Sequence, residues 1–408
     1  MLVCAAMLVA GSILCALAPS VTLMISGRAL QGASMGLIPL GISAMRDLLP
    51  PERVGTSIAL MSASMGIGSA LGLPVAAAVA EHSNWRVLFW GSTVLAVGVL
   101  VLIYLLVPAA PVTSSSRFDP VGAVGLGLGL LCLLLGDSKG ADWGWSSTTT
   151  IGLLVGSVVV LLVWGWYELR TSDPLVDLRV TARPVVLLTN ASSLVIGFAM
   201  YAQALILPQL MLLPTSTGYG LGQDMLQMGL WMAPGGFMMM AISPLGARLS
   251  HARGPKVTLA LGAAVISLGY LSAVLLMGST WGILVSVCVI SSGVGLSYGA
   301  MPALIMGSVP ITETGSATSV NTLMRSVGTS VSAAVVGVVL AQMTTDLGGF
   351  AIPSEAGFKT GLLIGAAVAA LAALIATLIP TRASRAAEEA IEHPVDEPVD
   401  ELELAPHR

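Results

Sequence analysis

Twelve apolar stretches of roughly membrane-spanning length fill almost the whole of this 408-residue chain. A helix that crosses a bilayer needs roughly 20 mostly apolar residues. Such stretches run near 2–17, 22–45, 54–80, 86–107, 120–137, 150–167, 185–213, 223–247, 257–277, 281–307, 315–343 and 359–379, separated by short charged or Pro/Gly-rich joints. Charged residues make up 9% of the chain and apolar ones 55%, with a mean hydropathy of +0.91, whereas about a quarter of a soluble domain is charged. A soluble globule is excluded. The fold class is all-α, a polytopic membrane protein of twelve helices with the lipid bilayer as its solvent. The first stretch has no basic flank and no clear cleavage site and runs straight into the second, so it reads as a span rather than a secretion signal.

Basic residues in the joints set orientation, because Lys and Arg stay on the cytoplasmic side. With the first span running outward, the inner joints hold Arg46, Arg53, Arg117, Arg170, Arg179, Arg183, Arg248, Arg253 and Lys256, and the tail adds Arg382, Arg385 and Arg408. The outer joints hold only Arg86, Lys139 and Lys359. Both termini are thus expected in the cytoplasm. The acidic tail over 381–408 is expected to be solvated and disordered. A net charge of −4 argues against a nucleic-acid partner. Cys4, Cys15, Cys132 and Cys288 sit in apolar runs without metal-ligand spacing, so no metal, cofactor or disulfide framework is expected.

An internal repeat is legible. L-P-P-E-R-V-G-T-S follows span 2 and V-P-I-T-E-T-G-S-A follows span 10; Pro50, Gly55 and Gly68 each stand 260 residues before Pro310, Gly315 and Gly328. Spans 2 and 3 thus correspond to spans 10 and 11, a parallel repeat of two-halved transporters. Counting outward, spans 1–4 pair with 9–12, which places two further helices before Met1 and fourteen in the complete protein. The expected units are 1–107, the remainder of an N-terminal bundle with four helices; 108–184, two inserted helices with linkers; 185–380, a C-terminal bundle of six; and the tail.

Two charges lie inside spans, Arg28 and Arg325. An arginine in hydrocarbon costs about 2.5–3.5 kcal/mol or more and usually faces a cavity or a partner. Arg28 has Gln31 and Gly32 on its own helical face. It can tune the proton affinity of a nearby carboxylate as a cavity opens, or simply snorkel to the outer interface. Arg325, with Asn321 one turn before it, is a second-half polar pair that serves either as an interhelical clamp or in the transport path. Span 3 carries Gly66, Gly68, Gly72 and Pro74, small residues for close packing and a proline able to kink the helix. The joint containing Arg248, His251, Arg253, Gly254 and Lys256 is either a gating loop or a solvated positive-inside turn. Asn190, Tyr201, Gln203, Gln227 and Trp231, among methionines of spans 7 and 8, are candidates for a substrate cavity that tolerates many apolar molecules, or for plain core packing.

Absences narrow the chemistry. Glu81, Asp137, Glu168, Asp224 and Asp346 all fall at or beyond span ends, so the titratable group that a proton-coupled transporter needs would have to lie in the helices expected before Met1. No P-loop supports ATP-driven transport. Nothing resembles a nucleophile–base pair or a metal cluster, so no catalytic residues and no enzyme are expected.

The segment G-R-A-L-Q-G, 27–32, resembles the fourth-helix arginine motif of the major facilitator superfamily, in its fourteen-helix drug:proton antiporter branch. L-P-P-E-R-V-G followed by G-S-A-L-G-L-P and N-W-R-V-L-F-W resembles the fifth-helix antiporter motif and its sequel. G-S-A-T-S-V-N-T-L-M-R-S-V-G, 315–328, resembles the thirteenth helix. Two departures stand out: Leu73 separates Gly72 from Pro74, and His251 occupies a position where aspartate is usual. The resemblance implies a bacterial inner-membrane secondary transporter that exports hydrophobic or cationic drugs in exchange for protons by alternating access. Arg28, Gln31 and Gly32 would then couple the proton, and Gly68, Gly72 and Pro74 would seal or bend span 3. A transporter of one metabolite and an inactive fragment are the alternatives.

Overall fold

A computed structural model describes residues 1–108, 119–172 and 174–380. Arg117 and the 381–408 tail, including Arg382, Arg385 and Arg408, lie outside the described residues. The helices are α1 (Leu2–Leu17), α2 (Val21–Ala33), α3 (Leu37–Leu48), α4 (Pro51–His82), α5 (Arg86–Leu106), α6 (Pro120–Trp143), α7 (Thr148–Glu168) and the short α8 (Leu178–Thr181). They continue with α9 (Pro184–Leu212), α10 (Met225–Arg253), α11 (Pro255–Leu276), α12 (Thr280–Met306), α13 (Thr314–Gln342) and α14 (Glu355–Thr377). Among the described residues ten helices are long and apolar enough to cross a membrane. With the 16-residue α1 and the α2–α3 pair they account for the twelve apolar stretches, and the chain is a polytopic membrane protein.

Local chemistry starts and stops these helices. Ser20, Asp119, Ser147 and Ser354 cap α2, α6, α7 and α14 by accepting a backbone N–H in the first turn. Asp224 and Gln227 form a reciprocal capping box on α10. Proline opens α6, α9 and α11, where its missing N–H costs nothing. Gly254, at φ 85°, both ends α10 and precedes α11, a backbone geometry that favours glycine.

Three features differ from the sequence expectations. Span 2 is not one helix: a 3₁₀ turn at Ser34–Gly36 separates α2 from α3. Pro39 has no N–H to offer the carbonyl of Met35, and the Ser34 hydroxyl instead bonds the Gln31 carbonyl at 2.6 Å. Second, α6 runs on to Trp143, so Asp137 lies inside a helix rather than at its end, with Oδ2 buried and unpartnered. Third, a β-hairpin, β1 (Thr344–Leu347) with β2 (Phe350–Pro353), joins α13 to α14. Gly348 and Gly349 supply its two positive-φ turn positions. Tyr219 donates a hydrogen bond to the Pro353 carbonyl at 2.6 Å, and burial together with the charge of Glu355 raises the pKa of its hydroxyl, keeping it a donor.

Helices α9–α14 build the main apolar core, around Tyr270, Phe358, Ile206, Leu210 and Ile290. Helix α9 is 67% buried over its most apolar window, whereas α5 and α7 are only 11% buried within the chain and turn Val, Leu and Trp outward, as lipid-facing helices do. Helix α4 lies lengthwise against α10, α9 against both α13 and α14, α11 against α12 and α14, and α6 against α7. Where two helices come closest, glycine is the contact. A Cβ on Gly66 of α4 would sit 2.7 Å from the Gly236 carbonyl of α10, and one on Gly229 would sit 3.0 Å from Cα of Pro74. On α13, Gly328 faces the Leu194 carbonyl of α9, and Gly197 of α9 faces the Arg325 carbonyl.

Gly328→Ala is therefore expected to destabilise the protein by about 1–3 kcal/mol through overpacking. Gly337→Ala on the same helix, where a Cβ meets nothing within 4 Å, is expected to stay within about 0.5 kcal/mol. Thermal unfolding of the two variants in detergent measures the difference.

Candidate functional site

The polar residues of α9 and α13 meet in a buried chain. Asn321 Nδ2 donates to Asn190 Oδ1 at 3.0 Å and to Ser193 Oγ at 2.7 Å, and the Ser193 hydroxyl reaches Met301 Sδ at 2.7 Å. Asn190 Nδ2 is buried without a partner. One turn along α13, Arg325 is only 8% exposed. Its guanidinium stacks on the Tyr298 ring of α12 at 4.4 Å and donates to the Thr322 hydroxyl at 3.4 Å. The close crossing at Gly197 and Gly328 fixes this backbone against α9, which leaves the Arg325 side chain pointing toward the first half of the chain.

There it meets a small closed pocket of about 10 Å³, room for at most about one water. Ile38 and Ile42 of α3 and Met61 of α4 form one wall; Tyr298, Pro302, Thr318, Asn321, Thr322 and Arg325 form the other. Among the lining residues Arg325 is the one ionised group. A larger cleft of about 480 Å³ opens between α1 and α5, lined by Leu2, Val3, Ala6, Leu100, Val101 and Tyr104. Its almost wholly apolar wall suits lipid tails, and it holds no chemistry.

Arg28 on α2 donates from Nη1 to Gln31 Oε1 at 3.0 Å, and Gln31 Nε2 donates to the Ser12 hydroxyl of α1 at 2.9 Å. The guanidinium also lies 5.9 Å from the Phe89 ring centre. Arg28 is exposed, Gln31 half-buried, and a Cβ at Gly32 would meet nothing within 4 Å. The same open space surrounds Gly68 and Gly72, while Pro74 packs on Gly229. Near one end of the α4–α10 contact, the exposed His251 places Nε2 2.8 Å from where a Cβ of Gly55 would be. Arg248 and Arg253 are exposed and Lys256 half-buried, around the Gly254 turn.

Of the five residues proposed for a substrate cavity, none lines the closed pocket or the α1–α5 cleft. Asn190 is buried in the α9–α13 chain and Tyr201 is 39% exposed. Gln227 is used in the α10 capping box. Trp231 donates to Gln223 Oε1 at 3.0 Å and packs edge-on against Trp281 at 4.9 Å. Gln203 is half-buried on α9.

Sequence reasoning missed several groups. Tyr298 and Thr322 became visible only when α12 and α13 were seen side by side, although the one tyrosine of span 10 was an available signal. Arg46, counted as a positive-inside residue, reaches across the halves to the Thr314 hydroxyl and, at 3.5 Å, the Val309 carbonyl. Asp119 and Glu168, 7% and 3% exposed, converge on Gly122 at the α6–α7 contact, where Asp119 Oδ1 accepts from the Gly122 N–H and the Tyr167 hydroxyl.

Residues 1–333 match the family model described as Major Facilitator Superfamily. The multidrug resistance protein Stp of Mycobacterium tuberculosis is 27% identical over 81% of this chain and 61% of its own length. The lincomycin resistance protein LmrB of Bacillus subtilis is 27% identical over 60% and 51%, and the uncharacterized MFS-type transporter YhcA of Bacillus subtilis 25% over 62% and 46%. The chain spans about half the length of the curated relatives it matches. Among solved structures, the human organic anion transporter MFSD10 aligns with a TM-score of 0.63 at 14% identity, over 92% of this chain and 76% of that one. The proton:xylose symporter XylE aligns with a TM-score of 0.59 at 14% identity, over 93% and 79%. At such identities the likeness is one of fold.

Asn321→Leu leaves Asn190 without its buried partner and is expected to cost about 1–3 kcal/mol in thermal stability. The Asn190→Leu/Asn321→Leu double variant, which removes both polar partners, is expected to recover much of that loss in the same measurement.

Proposed function

Because this chain belongs to the major facilitator superfamily, we propose that it forms part of a secondary transporter that exports hydrophobic small molecules in exchange for protons, by rocking two helix bundles about a central site. The observation that carries this reading is the closed pocket between α3–α4 and α12–α13, with an apolar wall on one side and a buried arginine on the other. Relatives named for multidrug and lincomycin resistance support a drug-like substrate. Hydrophobic compounds come before cationic ones in this reading, since the pocket lining offers no carboxylate to a cation. The units remain as the sequence divides them, with α1–α5 in one bundle, α6–α7 inserted and α9–α14 in the other.

Orientation follows from the basic joints, which put both termini of the chain on the cytoplasmic face of a bacterial inner membrane. The contacts of Arg46 with Thr314 and Val309, and of His251 with Gly55, then close the cytoplasmic end. They must separate when the transporter opens inward. Arg28 acts through Gln31 and Ser12, which tie α2 to α1. The charge of Arg28 biases the proton affinity of whatever carboxylate approaches this face.

Cells expressing the transporter are expected to accumulate less of a hydrophobic dye than control cells, and a protonophore to abolish the difference. Arg28→Ala is expected to remove at least nine-tenths of the export while insertion, followed by fluorescence-detected size exclusion, is unchanged. Export that persists in Arg28→Ala sinks the coupling role; export indifferent to the protonophore sinks proton exchange.

A further inference from the structure

We infer that Arg325 is the recognition point for an acidic group on the transported molecule, so that the substrates are amphiphiles with an apolar body and one carboxylate or sulfonate. This rests on the transport reading above and specifies its substrate class. A guanidinium carries five N–H donors and stays charged at any physiological pH. In Arg325 these donors are more than nine-tenths removed from water, yet among the described residues no carboxylate lies within ion-pair distance. The Thr322 hydroxyl at 3.4 Å and the Tyr298 ring face at 4.4 Å are both neutral. Burying a cation without a counter-charge is costly, and an intramembrane arginine held this way marks a place where an anion arrives.

The geometry also says how the anion would sit. A guanidinium lying on an aromatic face keeps its edge free, and that edge is where a carboxylate or sulfonate is gripped by paired charge-assisted hydrogen bonds. Arg325 lines the pocket, whose opposite wall of Ile38, Ile42 and Met61 offers contact for an apolar body and nothing for a second charge. At about 10 Å³ the pocket is shut in this conformation. The ligand therefore enters only once the two halves part, as a binding site that closes around its substrate requires.

Dansylaminoundecanoic acid and its methyl ester, an anionic and a neutral form of one fluorescent amphiphile, test this with the full-length protein in lipid nanodiscs at pH 7.5, empty nanodiscs being subtracted. The wild type is expected to bind the acid at least about tenfold more tightly than the ester. Arg325→Gln is expected to bring the acid down to the affinity of the ester without moving the ester, and Arg325→Lys to keep part of the preference. Met61→Glu, which sets a competing carboxylate across the pocket, is expected to abolish the preference with Arg325 intact and serves if Arg325→Gln does not fold. Equal affinities in the wild type overturn the inference, as does an equal loss of both probes in Arg325→Gln, since Arg325 then pairs with the protein itself. Dye export with no preference for the acid overturns the inference alone. Acid preference without any export overturns the transport reading and leaves the anion site standing.

Discussion

Helices in lipid gain little from hiding apolar side chains from one another, because the lipid tails are as apolar as leucine. What holds two of them together is backbone-to-backbone proximity, and in this protein the α4–α10 contact shows the consequence. Gly66 lies against the Gly236 carbonyl and Gly229 against Pro74, while Ser62 and Ser243 share a buried hydrogen bond at 3.1 Å. This is the long contact between the first half of the chain and the last six helices. The position of the central pocket depends on it, since α4 brings Met61 to the pocket and α10 packs on α12, which carries Tyr298. A helix pair in van der Waals contact along its length cannot tolerate a side chain inserted at the crossing.

Several polar groups inside this fold rest on local, neutral partners. Asn321 ties α13 to α9 through Asn190 and Ser193; Arg28 rests on Gln31, and Arg325 on Thr322 and Tyr298. Neutral partners leave a charge available. The guanidinium groups of Arg28 and Arg325 thus rest on neutral groups, one in each half of the chain. The buried Asp119–Glu168 pair lies at the α6–α7 contact, and neither residue lines the pocket.

Hydropathy located the apolar helices, closely for α9 (Pro184–Leu212) against the expected 185–213 and α13 (Thr314–Gln342) against 315–343, but it ended α6 and α10 about two turns too early. A spanning segment must satisfy its backbone within itself, so its limits are written in its own composition. Arg28 and Arg325 were legible for the same reason, because a charge in an apolar run announces itself without reference to any neighbour. The break at Ser34–Gly36 was not, since Gly and Pro are also tolerated in continuous membrane helices and only packing decides which of them interrupts one. Nor was the meeting of Asn190 with Asn321, whose spacing along the chain says nothing about which face meets which helix. Sequence alone set where the apolar stretches and the charges lie along the chain. Tertiary structure decided which charges face the pocket, for that depends on the rotation of α12 and α13 about their axes, and close contacts such as Gly328 with Leu194 fix the rotation.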